Sequence, residues 1–380
     1  MTIILCVSVL CAAIVGLSIY FWMPIGLKID KSKVLKHQTD VVFYDRNTGY
    51  GRYRALGKVD GEGNLTDEPF KILTFTDMHL DTYRKKGGDT ISHMLDAVHA
   101  EQPDLIIFTG DIVTSSTNWL RARQFADMME NLGIYWCPIL GNHEGDNWTA
   151  LTREKYLKLW SSYAYCLMEN DPDAVAAQVW GNGNYVVNLL KSGGEVRKSL
   201  IFLDSGNEIS QEDAKKYNVS GGYDYLKPSQ IEWYRGVVAN LNAYEQTEPV
   251  TSLMYIHIPL PEYADAQAIV QSENRTPGQT ASDGTEYIFG NAYESVACSR
   301  HNSGMFDAIL QGGSTQAVFC GHDHINNTII RYQGILLVYN QKSGYSSYDL
   351  KTKGLGEPNQ GYTVTVVRHN GMFDLSNVLY

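Results

Sequence analysis

Asp104-Leu-Ile-Ile-Phe-Thr-Gly-Asp111 is a continuous apolar run that stops at a glycine and a carboxylate. Runs of this kind, short and rich in β-branched and aromatic residues, suit strands covered on both faces. The same design recurs along the chain. Lys71-Ile-Leu-Thr-Phe-Thr76 leads into Asp77-Met-His79, and Ile134-Tyr-Trp-Cys-Pro-Ile-Leu140 leads into Gly141-Asn-His-Glu144. Leu253-Met-Tyr-Ile256 precedes His257, and Gln316-Ala-Val-Phe-Cys320 precedes Gly321-His-Asp-His324. Five of the 10 histidines fall inside these clusters. Ligand-type side chains at the carboxyl ends of such strands converge on one crevice, where α/β sheets place their sites. The pattern therefore predicts a metal centre.

The residue types point to its chemistry. A tight turn after a strand can aim both Asp77 and His79 at one ion, and Asp111 can bridge two ions with its two oxygens. Asn142, His257, His322 and His324 add neutral oxygen and imidazole donors. That mixture favours Fe, Zn or Mn over Ca or Mg. Two such ions at ~3.5–4 Å clamp an in-line displacement, with a shared hydroxide as nucleophile. His143 follows a ligand but points elsewhere, and is placed to protonate the leaving oxygen. Asp323, between two ligands, is expected to orient its turn, and Glu144 to be a hydrogen-bonding neighbour.

Asp-x-His, Gly-Asp, Gly-Asn-His-Glu, a lone His and Gly-His-x-His, in that order, resemble the calcineurin-like metallophosphoesterase superfamily over roughly residues 70–368. The resemblance implies an α/β (α+β) four-layer αββα sandwich of two mixed sheets. It implies one metal site of Asp77, His79, Asp111 and His324, a second of Asp111, Asn142, His257 and His322, and His143 against the phosphate. His257-Ile-Pro-Leu-Pro-Glu-Tyr263, Val318-Phe-Cys-Gly-His-Asp-His-Ile-Asn326 and Ser343-Gly-Tyr345 are similar to fungal and plant phosphatases related to purple acid phosphatase. Those include a plant group named as probably inactive. The purple enzymes carry a tyrosine ligand three residues after the bridging carboxylate. Thr114 stands there in this chain, so no tyrosinate–iron colour is expected. Three functions fit: a phosphomonoesterase, which is the preferred reading; a phosphodiesterase for nucleotides or lipid head groups; and a non-catalytic metal-containing binding module. Asn142, His143, Arg300 and His301 are the candidate substrate contacts.

Composition bounds the rest. The chain has 380 residues, 44% of them apolar and 19% charged, with a net charge of −11 and no basic stripe. Nucleic-acid binding through bulk charge is excluded, and an anionic substrate needs local cations. Nothing indicates the oligomeric state. No charge occurs from Ile3 to Leu27. As a helix of ~25 residues that stretch spans roughly 37 Å, enough for a single-pass membrane anchor. Residues 1–27 are therefore read as an anchor or signal segment, residues 28–69 as a tether with an introductory hairpin, and residues 70–380 as the phosphoesterase domain. Lys28, Lys31, Lys33 and Lys36 argue for the cytoplasmic side, while an anchor ahead of a hydrolase argues for an extracytoplasmic domain, the placement adopted. Residues 259–313, rich in Gly, Ser, Asn and Tyr, are read as a loop-rich insertion near the site. Asn326 lies in an Asn-x-Thr pattern beside the site and is expected to be unmodified.

Overall fold

Each apolar run that ends in a site motif is a strand, and the strands fall into two sheets. The computed structural model describes residues 26–37, 39–46, 52–81, 84–114, 118–146, 151–243 and 249–380. In chain order the strands are β1 (Val41–Tyr44), β2 (Arg54–Lys58), β3 (Phe70–Phe75), β4 (Leu105–Thr109) and β5 (Trp136–Ile139). There follow β6 (Tyr185–Leu190), β7 (Val196–Phe202), β8 (Ser252–Tyr255), β9 (Gln279–Thr280) and β10 (Glu286–Phe289). The last are β11 (Thr315–Cys320), β12 (Ile329–Tyr332), β13 (Ile335–Tyr339), β14 (Gly361–Val367) and β15 (Phe373–Leu379).

The smaller sheet has the order β15-β14-β3-β4-β5, parallel over β3, β4 and β5 and antiparallel beyond. The larger runs β1-β2-β6-β7-β8-β11-β13-β12-β10-β9, with β7, β8, β11 and β13 parallel at its centre. Both sheets are mixed, as expected. Burial follows position: every residue of β4 and β8 is buried, while β15, at an edge, has exposed residues along its length. Pro138 lies in β5, the other edge of the small sheet, where a missing N–H breaks no ladder.

One core joins the two sheets. Tyr185, Phe202, Tyr255 and Phe319 stack across four neighbouring strands of the large sheet, with centroids 4.4, 5.2 and 4.8 Å apart. These rings share a cluster with Ile72, Phe75 and Ile107 of the small sheet and with helices Arg84–Glu101 and Asn118–Leu132. A second cluster lies between the large sheet and helices Pro228–Ala243, Pro261–Ser272 and Met305–Gly312. Helices thus cover the outer faces of both sheets.

Several expectations are corrected. The single-pass anchor over residues 3–27 is not sustained. Among the described residues no helix is long and apolar enough to cross a membrane. Residues 1–25 lie outside the described residues, and Leu27 is buried in the core with its N–H donated to Gln124 Oε1 at 2.7 Å. Membrane anchoring and the extracytoplasmic placement built on it are withdrawn. β1 and β2 pair antiparallel, and β2 also pairs with β6, so the two form an edge of the large sheet. The first α-helix begins at Arg84 and runs through Gly87 and Gly88. A β-carbon on Gly88 would press on Lys28, which explains a glycine there. The stretch 259–313 contains two helices and β9–β10. Pro261 opens the first of them at a position where its missing N–H costs nothing.

Candidate metal centre

Three of the five motifs turn sharply as they leave their strands. Asp77, His79, Asp111 and His322 all have positive φ, at 51°, 45°, 51° and 76°. Non-glycine residues seldom adopt this region, and each such residue costs about 1–3 kcal/mol. What the turn secures is direction: the side chains fold back over the strand ends. The neighbouring glycines make room. A β-carbon on Gly110 would meet His257 and Gly141, one on Gly141 would overlap Asp111, and one on Gly321 would overlap Thr76 and Asp77.

The result is two clusters sharing one carboxylate. Asp77, His79, Asp111 and His324 form the first, and Asp111, His257 and His322 the second; within each, one ligand atom per residue lies within 4.8 Å of the others. His79 Nε2 is 3.7 Å from Asp111 Oδ2 and 3.1 Å from His324 Nε2, which is itself 3.3 Å from Asp77 Oδ1. His257 Nε2 is 3.4 Å from Asp111 Oδ2 and 2.9 Å from Asn142 Oδ1, which brings Asn142 to the second cluster. Asp77 Oδ1, Asp111 Oδ2 and His322 Nε2 are buried with no hydrogen-bond partner among the described residues. Buried polar atoms are rarely left so, and three aimed at two adjoining clusters fit cations. The donor set, imidazoles with carboxylates and one amide oxygen, suits a transition metal or zinc.

The other ligand atoms are tied down. Asp77 Oδ2 accepts from Thr76 Oγ1 at 2.8 Å and His322 N at 3.0 Å, and Asp111 Oδ1 from His143 N at 2.9 Å. His257 Nδ1 donates to Thr109 O at 2.7 Å, leaving Nε2 as the donor atom that faces the cluster. His324 Nδ1 bonds Ser347 Oγ at 2.9 Å. Glu144 is the organiser of the turns. Its carboxylate accepts from four backbone N–H groups, those of Asp111 (3.1 Å), Ile112 (2.6 Å), Val113 (3.1 Å) and Gly141 (2.7 Å). Asp323 accepts from Ala297 N, Asn326 Nδ2 and Tyr339 Oη, an orienting role.

Burial pulls His322 down to about 3 and His324 to about 4, which keeps them neutral, as ligation requires. Burial works against the charge on Asp77 and Asp111, but neighbouring imidazoles, His324 on Asp77 and His257 on Asp111, hold both well below the carboxylate range. His257 is also desolvated, yet Asp111 raises it to about 9. Burial, with Asp111 close by, lifts Glu144 to about 7.

His143 is half-exposed. Its Nδ1 is hydrogen bonded to Asp146, a partner the sequence reading did not identify, and its Nε2 stands 4.0 Å from Asp111 Oδ2. That hydrogen bond raises His143 to about 9. Arg300 and His301 have other partners. Arg300 donates to Ser220, and His301 stacks on Tyr217 at 3.6 Å with Tyr225 against its edge. Asp204-Ser205 serves structure: Asp204 pairs with Arg153, which also donates to Gly141 O at 2.5 Å, and Ser205 Oγ accepts from His257 N and Ile258 N. Asn326 is buried, its amide engaged by Tyr293 N and Glu294, so it offers no glycan acceptor.

A family model described as calcineurin-like phosphoesterase matches residues 70–326. The chain is 31% identical to the probable inactive purple acid phosphatase 14 of Arabidopsis thaliana, over 74% of this chain and 72% of that protein. It is 30% identical to phosphatase DCR2 of Saccharomyces cerevisiae, over 70% of this chain and 46% of that one. Among solved structures it is similar to a dimetal phosphatase from Danio rerio, with a TM-score of 0.48 and 12% identity, covering 81% of this chain and 98% of that chain.

Proposed function

The chain belongs to the calcineurin-like phosphoesterase family, and we propose that it is a two-metal phosphoric ester hydrolase that prefers monoesters. The observation that carries this reading is the pair of clusters joined at Asp111, with three buried ligand atoms left without partners. Asp77, His79, Asp111 and His324 would hold one cation, and Asp111, Asn142, His257 and His322 the other. Iron, zinc or manganese bound there would supply Lewis-acid activation of water and of the phosphoryl oxygens.

The chain's own residues position and protonate. Asp146 engages Nδ1 of His143, so Nε2 is the nitrogen turned toward Asp111. Raised to about 9, His143 carries a proton at neutral pH and donates it to the departing ester oxygen. The bond from His143 N to Asp111 Oδ1 ties acid and shared carboxylate together. A net charge of −11 and no basic stripe leave nothing to track a nucleic-acid polyanion, which sets polymeric diesters aside. Thr114 supports a colourless centre.

A second reading, a metal-holding module without turnover, is favoured by the word inactive in the name of the Arabidopsis relative. One experiment separates the two. The purified chain is loaded with Mn or Zn, its metal content measured, and p-nitrophenyl phosphate and bis-p-nitrophenyl phosphate offered. Two metals per chain with faster monoester turnover supports the hydrolase. Two metals with no turnover on either ester gives the binding module, and substoichiometric metal overturns both. His143→Ala is expected to keep its metal and lose about 10²–10⁴-fold in kcat, most with poor leaving groups.

A further inference from the structure

Two tyrosines lie against ligand imidazoles, one on each side of the metal centre. Tyr348 packs on His324 with centroids 4.3 Å apart, and Tyr223 stands at 89° to His322, also at 4.3 Å. Their hydroxyls differ. Tyr348 Oη donates to Glu294 Oε2 at 2.9 Å, and Lys353 Nζ lies 4.7 Å over its ring. Tyr348 is committed to the protein. Tyr223 is half-exposed, and its hydroxyl has no hydrogen-bond partner among the described residues.

Tyr223 is nonetheless held in place. Glu208 and Tyr223 pair as an antiparallel bridge, flanked by Ile209 N to Gly222 O at 3.0 Å and Asp224 N to Asn207 O at 3.1 Å. The next residues are anchored: Asp224 and Tyr225 are buried, and Lys227 Nζ bonds Asp224 Oδ1 at 2.7 Å. A side chain on so fixed a base, with a hydroxyl left uncommitted, is preorganised for a ligand.

Among the described residues, no Lys or Arg pairs with the carboxylates of the site. The ion partners of Asp77 and Asp111 are all imidazoles. Buried cations nearby turn away, Lys342 donating to Gly344 O and Arg153 to Gly141 O, Leu140 O and Asp204. Beyond cations and His143, a phosphoryl oxygen would therefore need a neutral donor, and a phenol is one.

We propose that Tyr223 is a substrate-contacting residue whose hydroxyl donates a hydrogen bond to a phosphoryl oxygen on the His322 side of the centre. This inference rests on the phosphoesterase reading and adds a residue to it. Tyr223→Phe keeps the ring against His322 and removes only the hydroxyl. With metal content and melting temperature unchanged, kcat should fall about 10–100-fold, the size of one hydrogen bond to a charged group, with KM changing less. Inorganic phosphate, titrated calorimetrically into the Mn- or Zn-loaded protein, should bind correspondingly more weakly. Tyr348→Phe, as control, should leave phosphate affinity as it was. Wild-type phosphate affinity and kcat in Tyr223→Phe would overturn the proposal, and so would loss of metal, which would make the residue a prop for His322. Were the wild type to hold metal but turn over no ester, the hydrolase reading would fall while the phosphate titration still decided the role of Tyr223.

Discussion

The two sheets bring different chemistry to the crevice between them. The small sheet delivers both carboxylates, Asp77 after β3 and Asp111 after β4, together with His79, Asn142 and His143. The large sheet delivers imidazoles alone, His257 after β8 and His322 and His324 after β11. Neither edge is a site by itself, because the carboxylates stand on one and three of the imidazoles on the other. Cross-sheet hydrogen bonds set the registration: His322 N to Asp77 Oδ2 at 3.0 Å, His257 Nδ1 to Thr109 O at 2.7 Å, Asn340 Nδ2 to Thr109 Oγ1 at 3.2 Å and Ser343 N to Thr76 O at 2.9 Å. The lesson is that the carboxylates are concentrated in one sheet and most of the imidazoles in the other, so the two edges should fail differently when altered.

The largest effect should come from the anionic edge. Asp111 belongs to both clusters, so Asp111→Asn is expected to lose both cations and at least ~10³-fold in kcat, the scale seen when a central electrostatic group is removed. His322→Ala, on the imidazole edge, should retain about one metal per chain, since the first cluster is untouched. Metal analysis of the two variants decides; equal losses would break the contrast. Chelation should come next. A cation present at 100 times its Kd contributes about 2.7 kcal/mol, and at ~1–2 °C per kcal/mol for a chain of this size the wild type should melt roughly 3–5 °C lower with chelator. Asp111→Asn should show no such shift.

Glu144→Gln sharpens the contrast from within the small sheet. A carboxamide has one oxygen to offer the four N–H groups that Glu144 now accepts. With about 1–3 kcal/mol per stranded donor, denaturant unfolding should report a loss of roughly 3 kcal/mol, with metal affinity reduced. The smallest effect concerns Lys198, a buried cation of the large sheet whose Nζ lies 5.5 Å over Phe373 of the small one. Burial lowers it to about 7. An unfolded lysine titrates near ~10.4, so between those values the unfolded chain binds more protons and stability should rise with pH. Lys198→Met should flatten the rise in urea midpoint from pH 7 to pH 9; an unchanged slope would remove Lys198 as its source.

The strands and the seven candidate ligands were legible because each is written locally, as an apolar run, often a small residue, and a metal-binding side chain. Their grouping was not spelled out by spacing, since Asp77 and His324 meet only when β3 and β11 lie in facing sheets. Asp146 stood in plain view three residues after His143, but a carboxylate in a loop is ordinary until its partner is known. Tyr223 carries no motif, and its position follows from the clip to Glu208. In the stretch 259–313, Gly, Ser and Asn content hid a visible helical spacing, Tyr263, Ala266, Gln267 and Val270, all buried. The apolar character of residues 3–27 was read as a membrane span, whereas Leu27 is fastened to Gln124 in the core.

The ligands of the first cluster run from Asp77 to His324. A nascent chain therefore carries its two acidic ligands well before the last imidazole is made, and at ~5–20 residues per second that interval lasts many seconds. Over that interval the chain has only the small-sheet part of the cluster, Asp77, His79 and Asp111. The cluster is complete only when β11 closes over the small sheet and brings His324 to the other three residues.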